Sequence, residues 1–259
     1  MRAIILAAGQ GTRLRPLTDD KPKCMVELAG KPLLHHQVNA LRGAGINDIV
    51  LVGGYRSDQL QADGTQLVLN PDYATTNMVG TLFCAEHLMT HDDDLLIAYG
   101  DIVYEQKVLR SLLDCDATVA LSIDREWQRL WESRMDDPLS DAETLKLEDD
   151  NRIRELGKKP DSLEEIQGQY IGLIKVRSDF VAALRNFYHQ LNRSAHYDGK
   201  DFDNMFMTSF IQALIDAGHE VRAAFTDNGW IEVDTVEDLE HYEAMHRANT
   251  LSRFVTLGK

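Results

Sequence analysis

The sequence predicts an α/β fold: a three-layer sandwich with a mainly parallel mixed sheet between two layers of helices. Three observations carry that expectation. Apolar runs of strand length alternate with amphipathic helical stretches through the first half of the 259-residue chain, the pattern of parallel strands joined by helical crossovers. The first run, Ala3–Ala8, is apolar at every position, as a strand covered on both faces requires. Glycines, cations and an acid stand just beyond strand ends, at Gly9–Arg13 and at Asp101, where open parallel sheets bind ligands.

The elements follow in order. Leu34, Val38 and Leu41 share one face of a helix expected over Leu33–Arg42, which Gly43 and Gly45 end. Asp48–Val52 reads as the next strand, closed by Gly53-Gly54. A short strand at Leu67–Leu69 leads to a turn at Asn70-Pro71-Asp72 and a helix near Val79–Met89. Leu95–Tyr99 is a strand, Val108–Leu113 a helix and Ala117–Ile123 a strand. The charged stretch from Asp124 to Asp150, with Trp127 and Trp131 among polar residues, predicts an excursion from the sheet. Strands resume at Arg152–Leu156 and Gln169–Val176, with the turn Gly157-Lys158-Lys159-Pro160 between them. Helices are expected over Asp179–Leu191 and Asn204–Ala217, and strands near Glu220–Phe225 and Trp230–Val233. A last helix starts about Val236, where Thr235 and Asp238 have capping-box spacing. No repeat, low-complexity tract or linker divides the chain, so residues 1–259 are expected to form one domain.

Composition limits what such a domain does. The 42 acidic and 27 basic residues give a net charge of −15, which repels nucleic acid and anionic lipid. Neither a polynucleotide nor a membrane is an expected partner. A phosphate site must then be a local positive island, and Arg13, Arg15, Lys21 and Lys23 form one. Cys24, Cys84 and Cys115 are odd in number and lack metal-ligand spacing, so reduced packed thiols are expected. The apolar N-terminal run is too short for a signal peptide and meets glycine and arginine at once. No run approaches the ~20 residues that span a bilayer. The cytoplasm is the expected compartment.

The stretch from Leu6 to Lys23 is the most specific part. Gly9 and Gly11 let backbone N–H groups come close to phosphate oxygens, and the cations offset their charge. The Rossmann fingerprint needs a third glycine where Leu14 stands, and the Walker loop needs a Gly-Lys-Ser/Thr that is absent. The pattern Leu6-Ala7-Ala8-Gly9-x-Gly11-Thr12-Arg13-Leu14-x-Pro16-Leu17-Thr18, followed by Pro22-Lys23, resembles the signature of the nucleotidyltransferases that activate sugar phosphates and phosphocholine, at every position. The resemblance implies a Rossmann-like sandwich of the nucleotidyltransferase type with a small acceptor-binding or lid insertion. It makes about 1–123 the nucleotide-binding half, about 124–234 the acceptor-binding half with the insertion, and 235–259 a C-terminal helix and tail.

It also implies roles. Leu6, Ala8, Gly9, Gly11, Thr12, Arg13 and Lys23 are expected at the nucleotide, with Arg13 on the β- and γ-phosphates and Lys23 on the α-phosphate. Such chemistry asks for cations rather than a protein nucleophile. The attacking phosphate oxygen is already an anion, and the difficulty is to bring two polyanions together and stabilise the leaving pyrophosphate. A bridging Mg2+ on hard oxygen ligands is expected. Asp101, after Tyr99-Gly100, and Asp234, in Ile231-Glu232-Val233-Asp234-Thr235, match the aspartates that hold Mg2+ in the resembled family. Asp92-Asp93-Asp94 reads instead as a solvated loop.

Asn77, Gly80 and Thr81 lie where this family reads base and ribose, although Thr75, Thr76 or Asn77 also suits a helix cap. Asn70-Pro71-x-Tyr73-x-x-x-Asn77-Met78 resembles the phosphocholine cytidylyltransferase branch more than the sugar branch, which implies CTP. Around Trp127, Glu155–Lys159, Gln169–Leu173, Asp201–Thr208 and Ile231–Glu237 the chain resembles cytidylyltransferases acting on small phosphorylated compounds, nearest to the bacterial CTP:phosphoglutamine and CTP:phosphocholine kinds, the former tied to capsule or surface polysaccharide modification. Lys158 or Lys159 is thereby placed at the acceptor phosphate. A choline head would want an aromatic cage with a carboxylate, for which Trp127, Trp131, Tyr170, Trp230 and Glu232 are available. An amino-acid head would want paired charges, from Arg125, Arg129, Asp203 and Glu232. Plain core packing of the aromatics stays open beside both.

The expected reaction is Mg2+-dependent: CTP and a small phosphorylated acceptor give a CDP-linked compound and pyrophosphate. The alternatives are a sugar-1-phosphate nucleotidyltransferase using UTP, dTTP or GTP, and a non-catalytic nucleotide-binding regulator. The intact set Arg13, Lys23, Asp101 and Asp234 speaks against the regulator. The tail Arg247–Lys259, with apolar Leu251, Phe254, Val255 and Leu257, either packs back, meets a second copy in a homo-oligomer, or frays.

Overall fold

A computed structural model describes residues 1–90 and 92–258. Seven strands form the central sheet: β1 (Arg2–Ala7), β2 (Asp48–Gly53), β3 (Gln66–Leu69), β4 (Leu95–Tyr99), β5 (Val119–Asp124), β6 (Gln169–Val176) and β7 (Val221–Thr226). Their order across the sheet is β7-β5-β6-β4-β1-β2-β3. All pairs are parallel except those of β6, which runs antiparallel to both β4 and β5. The sheet is thus mixed and mainly parallel, as expected.

Helices cover both faces: α1 (Leu33–Gly43), α2 (Met78–Cys84), α3 (Gln106–Asp114), α4 (Trp127–Arg134), α5 (Ser178–Gln190), α6 (Met207–Asp216) and α7 (Val236–Arg247). Alternation along β1 decides which layer each side chain joins. Ala3, Ile5 and Ala7 enter a core with Leu34, Val38 and Leu41 of α1, Val108 and Leu112 of α3, and Tyr242 of α7. Ile4 and Leu6 enter the other, with Val79 and Leu82 of α2, Leu184 of α5 and Phe210 of α6. Burial of β1 on both sides explains its uninterrupted apolar run.

Four differences from the sequence reading have physical causes. The helix expected over Val79–Met89 stops at Cys84 and resumes as a 3-10 turn, Glu86–Leu88, where the Glu86 carboxylate is drawn to Arg185 and His189 of α5. The helix expected from Asn204 begins at Met207, because Asp201 Oδ1 accepts the Asn204 N–H at 2.9 Å and holds a turn there. The excursion after β5 holds α4, whose Trp127, Leu130 and Trp131 are buried at helical spacing, and a hairpin of Leu145–Leu147 with Ile153–Leu156. Finally, Ile102–Tyr104 forms an unexpected short strand antiparallel to Trp230–Glu232.

The tail packs back. Leu251, Phe254 and Val255 are buried, and the Phe254 carbonyl accepts the Gly229 N–H at 2.6 Å. Lys259, the last residue of that tail, lies outside the described residues. No described helix is long and apolar enough to cross a membrane. The three cysteines are free thiols.

The capping box is present as expected. Thr235 Oγ1 accepts the Asp238 N–H and Asp238 Oδ2 accepts the Thr235 N–H, both at 3.0 Å. Thr235→Ala should therefore cost about 1 kcal/mol and lower the thermal midpoint by roughly 2–4 °C. Calorimetry showing an unchanged midpoint would mean that the cap contributes nothing.

Candidate active site

Three chain segments separated by wide stretches of sequence meet at the carboxyl ends of β1 and β4. β1 runs into the glycine turn, which folds down on Lys23. Gly11 has φ +62°, and a Cβ there would lie 2.9 Å from the Lys23 Cβ. The fully buried Thr18 donates to the Gly11 carbonyl at 2.8 Å and closes the turn. Leu14 is also fully buried and anchors the 3-10 turn Thr12–Leu14, while the Arg13 side chain stays 63% exposed. Gly100 lets the end of β4 cross β1 closely, since a Cβ there would sit 2.6 Å from the Leu6 carbonyl oxygen.

Lys23 Nζ donates to Asp101 Oδ2 at 2.7 Å and also to Asp234 Oδ1. Arg13 Nη2 lies 3.1 Å from the same Asp234 oxygen. The two aspartates are brought together by the unexpected short ladder. Its pairs Trp230–Tyr104 and Glu232–Ile102 end where the Val233 N–H donates to the Asp101 carbonyl at 3.1 Å.

Behind this cluster stands a residue the sequence reading missed. The Arg134 side chain is 3% exposed. Its Nε donates to Asp238 Oδ1 at 2.9 Å, and its Nη2 to Asp238 Oδ2 at 3.1 Å and Glu232 Oε1 at 3.4 Å. Asp238 Oδ2 in turn accepts the backbone N–H groups of Asp234 and Thr235 at 3.0 Å. Arg134 thus holds the backbone that presents Asp234. The signal for it was its place three residues after Trp131, on the buried face of α4, hidden by the charge around it.

Burial alone would pull the Lys23 ammonium down, but Asp101, Asp234 and Glu232 together outweigh it and raise its pKa. Lys23 is therefore a cation throughout the neutral range. Burial, and then the Asp234 charge, lift Glu232 well above the usual carboxylate range. Burial also opposes the charge of Asp234, yet the hydrogen bond from Glu232 and the charges of Lys23 and Arg13 hold it below. Of the two, Glu232 is the carboxyl that takes up a proton more readily, and Asp234 the one that favours its charged form.

Asp101 and Asp234 could hold a divalent cation. Asp101 Oδ1 is buried without a hydrogen-bond partner, an oxygen left over for a ligand. The pair offers hard oxygen donors around a point where Lys23 already places positive charge. Among the described residues no group of three or more His, Cys, Asp or Glu is arranged to hold a metal ion by itself. Substrate oxygens and water would complete the shell, as Mg2+ prefers. Asp93 and Asp94 take no part: Asp93 pairs with the N-terminal amine and Asp94 accepts the Ser178 N–H.

Two clefts adjoin the cluster. The first, about 140 Å³, is lined by Leu6, Ala8, Gly9, Lys23, Asn77 and Thr81 of the expected nucleotide set, together with Asp101, Tyr73 and Thr76. Gly11, Thr12 and Arg13 belong to the turn at its edge. Gly80 does not line it; its Cα faces Thr76, whose Cβ a new Cβ would meet at 3.1 Å. Asn77 caps α2 through Met78 N–H at 2.8 Å, and Thr81 Oγ1 accepts from Asn70 at 3.0 Å.

The second cleft, about 280 Å³, shares Asn77 and Met78 with the first and reaches Asp234. Tyr170 and Glu232 of the expected acceptor set line it, with Trp131, Glu143 and Gln169. The other four stand elsewhere. Trp127 is packed edge-on against Trp131 in the core, and Trp230 is 1% exposed with its indole N–H on Asp124 at 2.8 Å. Lys158 pairs with Glu155 at 2.9 Å, and Lys159 donates to the Leu139 and Ser140 carbonyls. The hairpin turn therefore consumes both lysines locally. Arg125 and Arg129 likewise pair with Asp227 and Glu126 on the surface, and Arg15 leans on Asp19.

Arg134→Leu should destabilise the protein by about 3–5 kcal/mol, because it leaves buried carboxylates without their partner. Arg134→Lys keeps the charge but not the fork and should recover only part of the loss. Urea denaturation measures both; a wild-type midpoint for Arg134→Leu would show that the acidic cluster is held by other groups.

Comparison with known proteins places this arrangement. Residues 3–170 match the MobA-like NTP transferase domain. Over 249 residues the chain is 45% identical to the CTP:phosphoglutamine cytidylyltransferase of Campylobacter jejuni, covering 93% of this chain and 98% of that protein. The CTP:phosphocholine cytidylyltransferase of Streptococcus pneumoniae superposes with a TM-score of 0.70 at 22% identity, over 95% of this chain and 98% of that one. The inositol-1-phosphate CTP transferase of T. maritima gives a TM-score of 0.71 at 22% identity, over 98% and 97%. At that identity the two structures establish a common fold.

Proposed function

The chain belongs to the MobA-like NTP transferase family and is a nucleotidyltransferase, and from that premise we propose that it is a Mg2+-dependent cytidylyltransferase acting on a small phosphorylated acceptor, phosphoglutamine before phosphocholine. The observation that carries the reading is the meeting of Lys23, Asp101 and Asp234 at the border of two clefts, one against the glycine turn and one against aromatic and acidic side chains. The identity along nearly the whole length of the Campylobacter jejuni protein supports CTP as donor and phosphoglutamine as acceptor.

In this reading an acceptor phosphate oxygen attacks the α-phosphorus of CTP. The bond from that phosphorus to the oxygen bridging to the β-phosphate breaks, and pyrophosphate leaves with the electron pair. Lys23, kept protonated by the two aspartates, supplies positive charge at the α-phosphate, and Arg13 offsets the leaving pyrophosphate. Mg2+ on Asp101 and Asp234 would neutralise phosphate oxygens when bound. The hydrogen bond with Glu232 favours the charged form of Asp234. Arg134 positions Asp234 from behind without touching substrate.

A pyrophosphate-release assay pairs CTP, UTP, dTTP and GTP with phosphoglutamine, phosphocholine, aminoethylphosphonate and a sugar 1-phosphate. CTP with phosphoglutamine should exceed every other pair by at least about tenfold. Turnover of a sugar 1-phosphate with UTP, and none with CTP, overturns the reading; no turnover with any pair favours a regulatory nucleotide binder. EDTA should abolish turnover and added Mg2+ restore it. Lys23→Ala should lower kcat by about 10²–10³-fold, and activity within a few-fold of wild type would remove Lys23 from the chemistry.

A further inference from the structure

The second cleft has a charge pattern that the transfer chemistry uses only in part. Asp141, Glu143, Glu232 and Asp234 line it, and no lysine or arginine does. Two of the four have cations beside them: Asp234 has Lys23 and Arg13, and Glu232 has Arg134. Asp141 is exposed to solvent, and Glu143 is the half-buried one with no such partner. Among the described residues its carboxylate has no ion pair or hydrogen bond, although its backbone is clamped on both sides by the buried Gln169. The Glu143 N–H donates to Gln169 Oε1 at 3.1 Å, and Gln169 Nε2 donates to the Glu143 carbonyl at 2.6 Å. The clamp fixes the residue while leaving the acid itself unmatched. Burial, with Asp141 and Asp198 nearby, pushes the Glu143 carboxyl up to about 7, so the ligand-free protein bears a cost for keeping it charged.

A second unmatched group borders the same cleft. Trp131 is 4% exposed, and its indole N–H finds no acceptor. Buried donors are rarely left so. Tyr99 and Tyr170, edge-on with ring centroids 5.7 Å apart, complete an aromatic wall beside the acid. At one end the cleft reaches Asp234, and the Lys23 and Arg13 paired with it suit a phosphate. At the other it offers a free carboxylate, an unmet N–H and ring faces, which suit a positive group with an oxygen near it.

We propose that Glu143 binds the ammonium group of the acceptor, with the Trp131 indole N–H donating to an oxygen of the same head group. The cleft then selects phosphorylated acceptors that are cationic or zwitterionic at the end remote from the phosphate. It disfavours sugar phosphates, which leave the Glu143 carboxylate unpaired. This rests on the transferase reading above and names the residue that determines its acceptor specificity.

The test compares wild type with Glu143→Gln, which keeps shape and removes charge, using CTP with phosphoglutamine and with an analogue whose α-amino group is replaced by hydrogen. Loss of one charged hydrogen bond should raise the KM for phosphoglutamine about 10- to 100-fold. The kcat, the KM for CTP and the KM for the amine-free analogue should stay within about threefold of wild type, a split that mere destabilisation would not produce. An unchanged KM for phosphoglutamine, or an equal rise for both acceptors, overturns the role of Glu143 while leaving the cytidylyltransferase reading intact. Wild-type enzyme that turns over neither phosphoglutamine nor phosphocholine with CTP overturns both together.

Discussion

A lysine ammonium buried between two aspartates is the constraint on which the rest of the molecule depends. A charge of that kind is costly in a protein interior unless oppositely charged oxygens meet it in good geometry. Asp101 and Asp234 provide them from positions 78 and 211 residues away in sequence. That closure requires the end of β4 to cross β1 at Gly100 and the chain before α7 to return beside it, which the Ile102–Tyr104 and Trp230–Glu232 ladder achieves. The same arrangement gathers a cation, two aspartate side chains and an orphaned carboxylate oxygen at the edge of the cleft against the glycine turn. The groups that would serve catalysis are also those that tie the two halves of the chain together.

The distribution of charge follows from this. A chain of net charge −15 repels the anions it would have to bind, so its cations must be concentrated and the acids around them must be managed individually. Arg134 shows how. It accompanies three acids, and it binds Asp238 in the two-pronged geometry that only a guanidinium allows. Glu232 is met by Arg134, and Asp234 by Lys23 and Arg13. Once these are satisfied, the cleft beyond them keeps Glu143, half-buried and without a cation beside it among the described residues, next to the exposed Asp141.

Legibility in the sequence divided along the same line. The strands of the sheet, the glycine turn, the capping box and the two aspartates were all visible, because each is marked by a local pattern: an apolar run, a turn residue, a fixed spacing, an acid at a strand end. The groups that were missed act through contacts between distant segments. Ile102–Tyr104 is only three residues long and is a strand because Trp230–Glu232 lies beside it. Trp127 and Trp230 looked like cage residues because an aromatic among polar neighbours reads the same in a cleft and in a core. The packing of α4 against α7 decides between them, and it puts Trp131 at the cleft instead. Lys158 and Lys159 had the right charge for a phosphate, yet the hairpin that carries them uses that charge on Glu155 and on two carbonyls.

Asp238 joins stability and site geometry in one side chain. Its carboxylate closes the cap of α7, receives the guanidinium of Arg134 and accepts the N–H of Asp234. A helix cap is ordinarily worth about 1 kcal/mol and can be lost without much consequence elsewhere. Here the capping oxygen also accepts the N–H of Asp234, so the cap of α7 and the Lys23 cluster share one carboxylate. Packing of the tail residues Leu251, Phe254 and Val255 into the same core as Leu239 and Tyr242 of α7 reduces the freedom of that helix to shift. The C-terminal segment, far from the clefts in sequence and in contact, therefore belongs to the support of the site.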